Sequence, residues 1–218
     1  MKARPTVVII GKVMPKIELY ELAPTRSARV RWVLNEAQLT YTSLGNQVET
    51  IGSDAVKQIH PLGKLPAARI DGKPLFESAA IATAIADLVP EQNLVARPGT
   101  WGRALHDQWV SFALSEMECW VSSTEINSID FVLPPDQHVP GIIDQNKAMF
   151  RRSAAALDGV LSEVDYLVEN RFSVTDIIVG YTLNFAEEQG LLSQCPNLRA
   201  YMERLYAREH CTLVRHGD

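Results

Sequence analysis

The sequence has no long hydrophobic run, few cysteines and no excess of positive charge, and each shortage removes a class of protein. No stretch approaches the roughly 18 apolar residues of a membrane-spanning helix, so no membrane partner is expected. The apolar run Thr6–Ile10 holds about five residues against the roughly 7–15 of a signal-peptide core, so a cytoplasmic location is expected. Cys119, Cys195 and Cys211 are an odd, widely spaced set without a C-x-x-C pair, which fits neither a disulfide framework nor a zinc ribbon. The five histidines lack the spacing of metal ligands, so no metal is expected. Lys and Arg total 21 against 26 Asp and Glu, a net charge of −5, without the basic footprint of a nucleic-acid partner. With 12 Gly, 12 Pro and no low-complexity tract, disordered and repeat architectures fit poorly.

What is present is an ordinary globular composition, 46% hydrophobic and 22% charged over 218 residues, enough for one large or two small domains. The first half alternates between two grammars. Lys16–Leu22 reads as a strand, and Val30, Val33, Leu34 and Ala37 recur at helical spacing over Ser27–Ala37. Thr40–Leu44 suits a second strand, and 53–59 a short helix ended by His60-Pro61. Ala67–Ile70 and Lys73–Phe76 flank Asp71-Gly72, a hairpin signal, and Pro74 favours an edge position for the second arm. A helix follows from Ser78 to about Leu88.

Residues 89–100, with two prolines and a glycine, read as a linker. Beyond it the pattern is helical only: Trp101 to about Ser128, Gly141 to about Val168, a nearly all-apolar helix after Phe172, and Asn197–Arg208. Ser173 and Asp176 fit a capping box, with Phe172 and Ile177 as a hydrophobic staple.

Four segments in this order resemble the glutathione transferase family from about residue 15 to 210. They are Leu19 to Trp32 (LYELAPTRSARVRW), His60 to Ala67 (HPLGKLPA, similar to the family's N-P-x-G-K-V-P-A), Glu77-Ser78-x-x-Ile81, and Phe172 to Asp176. The resemblance implies an α/β thioredoxin-like N-terminal domain at 15–88 followed, after the linker, by an all-α helical C-terminal domain at 101–218. Residues 1–14 become an extension, an added edge strand or an arm on a second subunit. The expected activity is conjugation of the glutathione thiolate to small apolar electrophiles, a detoxification chemistry. Glutathione serves as co-substrate with no other cofactor, in a homodimer.

The resemblance also implies a site. A cis Pro66 exposes the backbone of Leu65, against which the cysteinyl unit of glutathione pairs as an added strand. Ser78 at a helix N-terminus receives the γ-glutamyl carboxylate, Glu77 holds its ammonium, and Lys64 lies close to the bound peptide. Members of the family activate the thiol with Tyr at the first strand's end, or with Ser or Cys in the following loop. Here the serine-type spacing counted back from Val30 lands on Pro24, a departure that leaves Thr25, Ser27 and Tyr20 as the hydroxyls to consider. Phe112 and Met117, with neighbouring Trp109 and Trp120, are candidates for the acceptor pocket. Arg26, Arg29 and Arg31 read as a solvated helix face, and Cys119, mid-helix with Glu116 and Glu118 nearby, as an inert thiol. Two other classes remain open: a non-catalytic binding or interaction protein of the same fold, and a glutathione-dependent disulfide reductase or isomerase.

Overall fold

The computed structural model describes residues 14–215, so the extension expected at 1–14 lies, apart from Met14, outside the described residues. The first half runs β1 (Ile17–Tyr20), α1 (Ser27–Glu36), β2 (Thr42–Gly45), α2 (Asp54–Lys57), β3 (Ala67–Ile70), β4 (Lys73–Phe76) and α3 (Ser78–Leu88). The four strands lie in the order β2-β1-β3-β4, with β1 parallel to β2 and antiparallel to β3, and β4 antiparallel at the edge. Period-2 alternation sends Ile17 and Leu19 into the main core with α1 and α3, while Tyr20 packs on the opposite face with Val56, Ile59 and Ala67. The expected hairpin forms residue for residue. Asp71 and Gly72 take φ 49° and 75°, and Pro74 lies on the edge strand, where no ladder N–H is needed. Strand β2 begins two residues later than the composition suggests. Gln38 turns left-handed (φ 55°) and Leu39 N–H returns to the Leu34 carbonyl, so 39–41 lead out of α1.

The second half is helical: α4 (Trp101–Phe112), α5 (Cys119–Ile126), α6 (Ile142–Val160), α7 (Val174–Glu188) and α8 (Pro196–Tyr206). The single helix expected from 101 to 128 is continuous to Ile126, but Ala113–Glu118 is wound as a π-helical turn. The wider turn adds a residue and rotates the faces that follow it. The helix expected to reach Val168 ends at Val160. The Ser162 hydroxyl takes the Gly159 carbonyl (2.6 Å), and the Asn170 side chain accepts the N–H groups of Asp165 and Tyr166, which draws 161–170 into a turn. The expected linker is a packed strap: Leu94, Val95 and Ala96 are buried, and the Leu94 carbonyl accepts Val174 N–H (2.8 Å).

The capping box is present, with Ser173 N–H and hydroxyl both donating to Asp176 (2.8 and 3.0 Å). Phe172 stacks at 5.7 Å on Trp32 of α1, so the staple residue also joins the two halves. Among the described residues no helix is long and apolar enough to cross a membrane, and no group of three or more His, Cys, Asp or Glu forms a metal cluster.

Candidate active site

Register alone gathers the predicted residues at one end of the sheet. Tyr20, closing β1, faces Ala67, opening β3, and Ala67 faces Phe76, closing β4. The loop carrying Thr25, the Leu65-Pro66 corner and the Glu77-Ser78 start of α3 therefore emerge together.

The Leu65-Pro66 bond is cis, as the resemblance implies, and so is Ala23-Pro24. Among the described residues neither the N–H nor the C=O of Leu65 makes a hydrogen bond, leaving one donor and one acceptor for an added strand. Gly63 forms the approach to this corner in the left-handed region (φ 65°), and its carbonyl accepts Gly52 N–H at 2.8 Å. Lys64 is exposed beside it. Ser78 opens α3 with its hydroxyl oxygen accepting from Arg29 at 3.1 Å. Glu77 is exposed and held at φ 71°, a left-handed conformation that non-glycine residues take at some cost.

The loop before α1 binds its own hydroxyls. Thr25 donates to the Leu22 carbonyl at 2.6 Å, and Ser27 Oγ accepts Leu22 N–H at 3.1 Å with Thr25 Oγ1 3.2 Å away. Ser27 is 0% exposed and locks the loop, whereas Thr25 keeps partial exposure. Tyr20 lies on the other face of the sheet, toward α2.

Arg26, Arg29 and Arg31 do not form the solvated face read from their spacing. Arg29 is 1% exposed, because α1 lies between α3 and α7 and is buried on nearly every side. Its guanidinium donates to Ser78, Glu118, Thr182 (2.9 Å) and the Ile178 carbonyl (3.0 Å), and stacks 4.6 Å from the Tyr181 ring. Arg26 reaches the same Glu118 carboxylate at 2.6 Å and also Ser122. Arg31 approaches buried Glu21 at 3.7 Å. Burial alone would raise the Glu118 carboxyl, but the charges and hydrogen bonds of Arg29 and Arg26 outweigh it and bring the pKa down to about 2.

Glu118, which closes the π-helical turn, was missed from the sequence because its partners Arg26, Arg29 and Thr182 lie far from it along the chain. The available signal was the polar Thr182, one turn after Ile178 in the mainly apolar α7. Of the acceptor-pocket candidates, Phe112 is half-buried and packs edge-on against Trp109 at 5.6 Å. Met117 is 0% exposed in the core, where it packs and reaches no open space. Cys119 donates to the Ser115 carbonyl, and burial first, then Glu116 and Glu118, push its thiol pKa up.

Comparison with known proteins agrees with this architecture. The family model described as glutathione S-transferase, N-terminal domain, matches residues 25–88, and that described as glutathione S-transferase, C-terminal domain, matches 140–204. Protein LigF of Sphingobium sp. is 28% identical over 200 residues, covering 72% of this chain and 75% of that protein. Glutathione S-transferase 3 of Schizosaccharomyces pombe is 24% identical over 214 residues, covering 91% and 86%. The crystal structure of a glutathione transferase from Methylococcus capsulatus superposes with a TM-score of 0.78 at 25% identity, covering 89% of this chain and 95% of that one. With both domain models matched in order, on a thioredoxin-like sheet followed by helices, the chain belongs to the glutathione S-transferase family.

Proposed function

We propose that the protein is a glutathione transferase that joins the glutathione thiolate to small, mainly apolar electrophiles, acting in cytoplasmic detoxification as a homodimer. The observation that carries this reading is the unpaired Leu65 backbone, at the same end of the sheet as the α3 N-terminus and the Thr25 loop. Glutathione's cysteinyl unit pairs with Leu65, its γ-glutamyl carboxylate meets Ser78 and the free N–H groups of α3, and its ammonium meets Glu77. Its sulfur then lies toward Thr25 and the N-terminus of α1, where the helix dipole favours a thiolate. The sulfur attacks the electrophilic carbon, forming the C–S bond while the leaving group departs with its electron pair. Phe76 on the edge strand β4 and Leu62 in the loop before β3, both apolar and exposed, favour a second copy of the chain as partner.

A second reading has its own support. The Thr25 hydrogen is engaged by Leu22, which favours a protein that binds glutathione without activating it. Titration calorimetry with glutathione, followed by conjugation of chlorodinitrobenzene and reduction of hydroxyethyl disulfide, separates the readings. Binding with conjugation supports the transferase, and disulfide reduction alone supports the reductase. Binding without turnover of either substrate selects the binding protein, and no binding removes glutathione from the function.

A further inference from the structure

The Ser78 hydroxyl accepts from Arg29 Nη1 at 3.1 Å, and among the described residues nothing accepts its hydrogen. A hydroxyl whose oxygen receives a guanidinium N–H is polarised toward donating, so its hydrogen is directed away from Arg29. Arg29 in turn is fixed by Glu118, Thr182 and the Ile178 carbonyl, all from the helical half. Two guanidiniums, Arg26 and Arg29, share the single Glu118 carboxylate. The trio therefore carries one net positive charge behind the start of α3, with Glu125 the further carboxylate that acts on Arg26.

We propose that Arg29 is a positioning residue of the glutathione site: it aims the Ser78 hydroxyl and supplies buried positive charge behind the γ-glutamyl carboxylate, with Glu118 as its anchor. This rests on the proposed glutathione site. The helical half then contributes to glutathione binding through Arg29, without Glu118 or Thr182 touching the ligand. Only a planar fork reaches Ser78, Glu118, Thr182 and the Ile178 carbonyl together, so lysine, with the same charge, does not replace it.

The test is a double-mutant cycle of Arg29→Lys and Ser78→Ala, read as glutathione affinity by calorimetry. Arg29→Lys alone is expected to weaken binding about tenfold, and in the Ser78→Ala background by no more than about twofold. With a glutathione whose γ-glutamyl α-carboxylate is amidated, the cost of Arg29→Lys is expected to disappear. A folded Arg29→Lys variant with unchanged affinity overturns the proposal. So does an equal loss in both backgrounds and with both ligands, since that is what a merely structural arginine produces. Should Arg29→Lys fail to fold, Thr182→Val removes one of its anchors and runs through the same cycle with the same criteria. Wild-type protein that binds no glutathione sinks the site itself, whereas binding that is indifferent to Arg29 sinks only this inference.

Discussion

Thr25 has one hydrogen to donate, and it goes to the Leu22 carbonyl at 2.6 Å. Turning that hydrogen toward a sulfur leaves the carbonyl its second donor, Thr25 N–H at 3.1 Å, and keeps Thr25 Oγ1 beside Ser27 at 3.2 Å as an acceptor of the Ser27 hydrogen. The pair is thus a short relay in which the buried serine supports the threonine. Thr25→Ala is expected to lower kcat for conjugation by about 10- to 1000-fold, the range for losing a hydroxyl that stabilises a developing or resident anion. Thr25→Ser should retain most of it. Ser27→Ala leaves Leu22 N–H without an acceptor, so it should lower the urea midpoint, a loss of about 1–3 kcal/mol, with a smaller effect on kcat. Equal turnover in wild type and Thr25→Ala would remove the hydroxyl from the mechanism. The motif letters made the cis bond before Pro66 and the α3 start at Ser78 legible, because each is a backbone feature that a short segment encodes. The burial of Arg29 was not legible, since its partners Glu118, Ile178 and Thr182 come from far along the chain.

At the scale of elements, local signals were readable wherever the cause was local. The Asp71-Gly72 turn, the Pro74 edge and the Ser173–Asp176 box depend on neighbours within a few residues and were placed correctly. The π-helical turn at 113–118 and the early end of α6 depend on side chains bonding back to backbone carbonyls and N–H groups, which the apolar period does not reveal. One element that positions the site makes a sharper prediction. Gly52 and Gly63 both have positive φ, but a Cβ on Gly52 would meet nothing within 4 Å, whereas one on Gly63 would lie 2.9 Å from the Gly52 Cα. Gly52→Ala should cost only its left-handed backbone, about 1 kcal/mol. Gly63→Ala adds a collision with main chain and should cost about 2–3 kcal/mol. It should also weaken glutathione binding, because the displaced segment leads straight into Leu65. Urea midpoints of the two variants decide it, and equal losses would show that the Gly52 segment yields freely.

For the whole molecule, the two halves are tied by buried charge at several points, and Asp176, buried within the helical half, titrates in the opposite direction to those ties. The Arg208 guanidinium grips Glu36 of α1 at 2.7 and 2.8 Å, and Thr212 donates to the Ala28 carbonyl, so the chain's last described segment returns to α1. Burial would raise Glu36, but Arg208 and Trp32 lower it, as the arginines lower Glu118 to about 2. Both carboxylates contribute stability that is present above their ordinary value of about 4.5 and lost as pH falls through the folded value, down to about 2 for Glu118. Asp176 behaves in reverse. Burial raises it to about 6 despite hydrogen bonds from Tyr201, Leu167 N–H and Ser173, so its contribution is complete below 3.8 and is lost as pH rises through 6. His106, buried between Thr83 and Thr175, is lowered by burial, and its contribution is present above 6.5 and lost on acidification. Between pH 6 and about 4.5 the Asp176 gain opposes the His106 loss, so acidification should cost less there than below it. Below 4.5 the Glu118 and Glu36 losses have only the end of the Asp176 gain against them, and stability should fall, by on the order of 2 kcal/mol from Glu118 by pH 3. Urea midpoints measured from pH 7 to 3 should fall more steeply below pH 4.5 than above it. Glu118→Gln should begin lower at pH 7, with two arginines facing a neutral amide, and should descend less below pH 4.5. An acid limb of unchanged steepness in that variant would mean that the interdomain arginines do not control the molecule's acid stability.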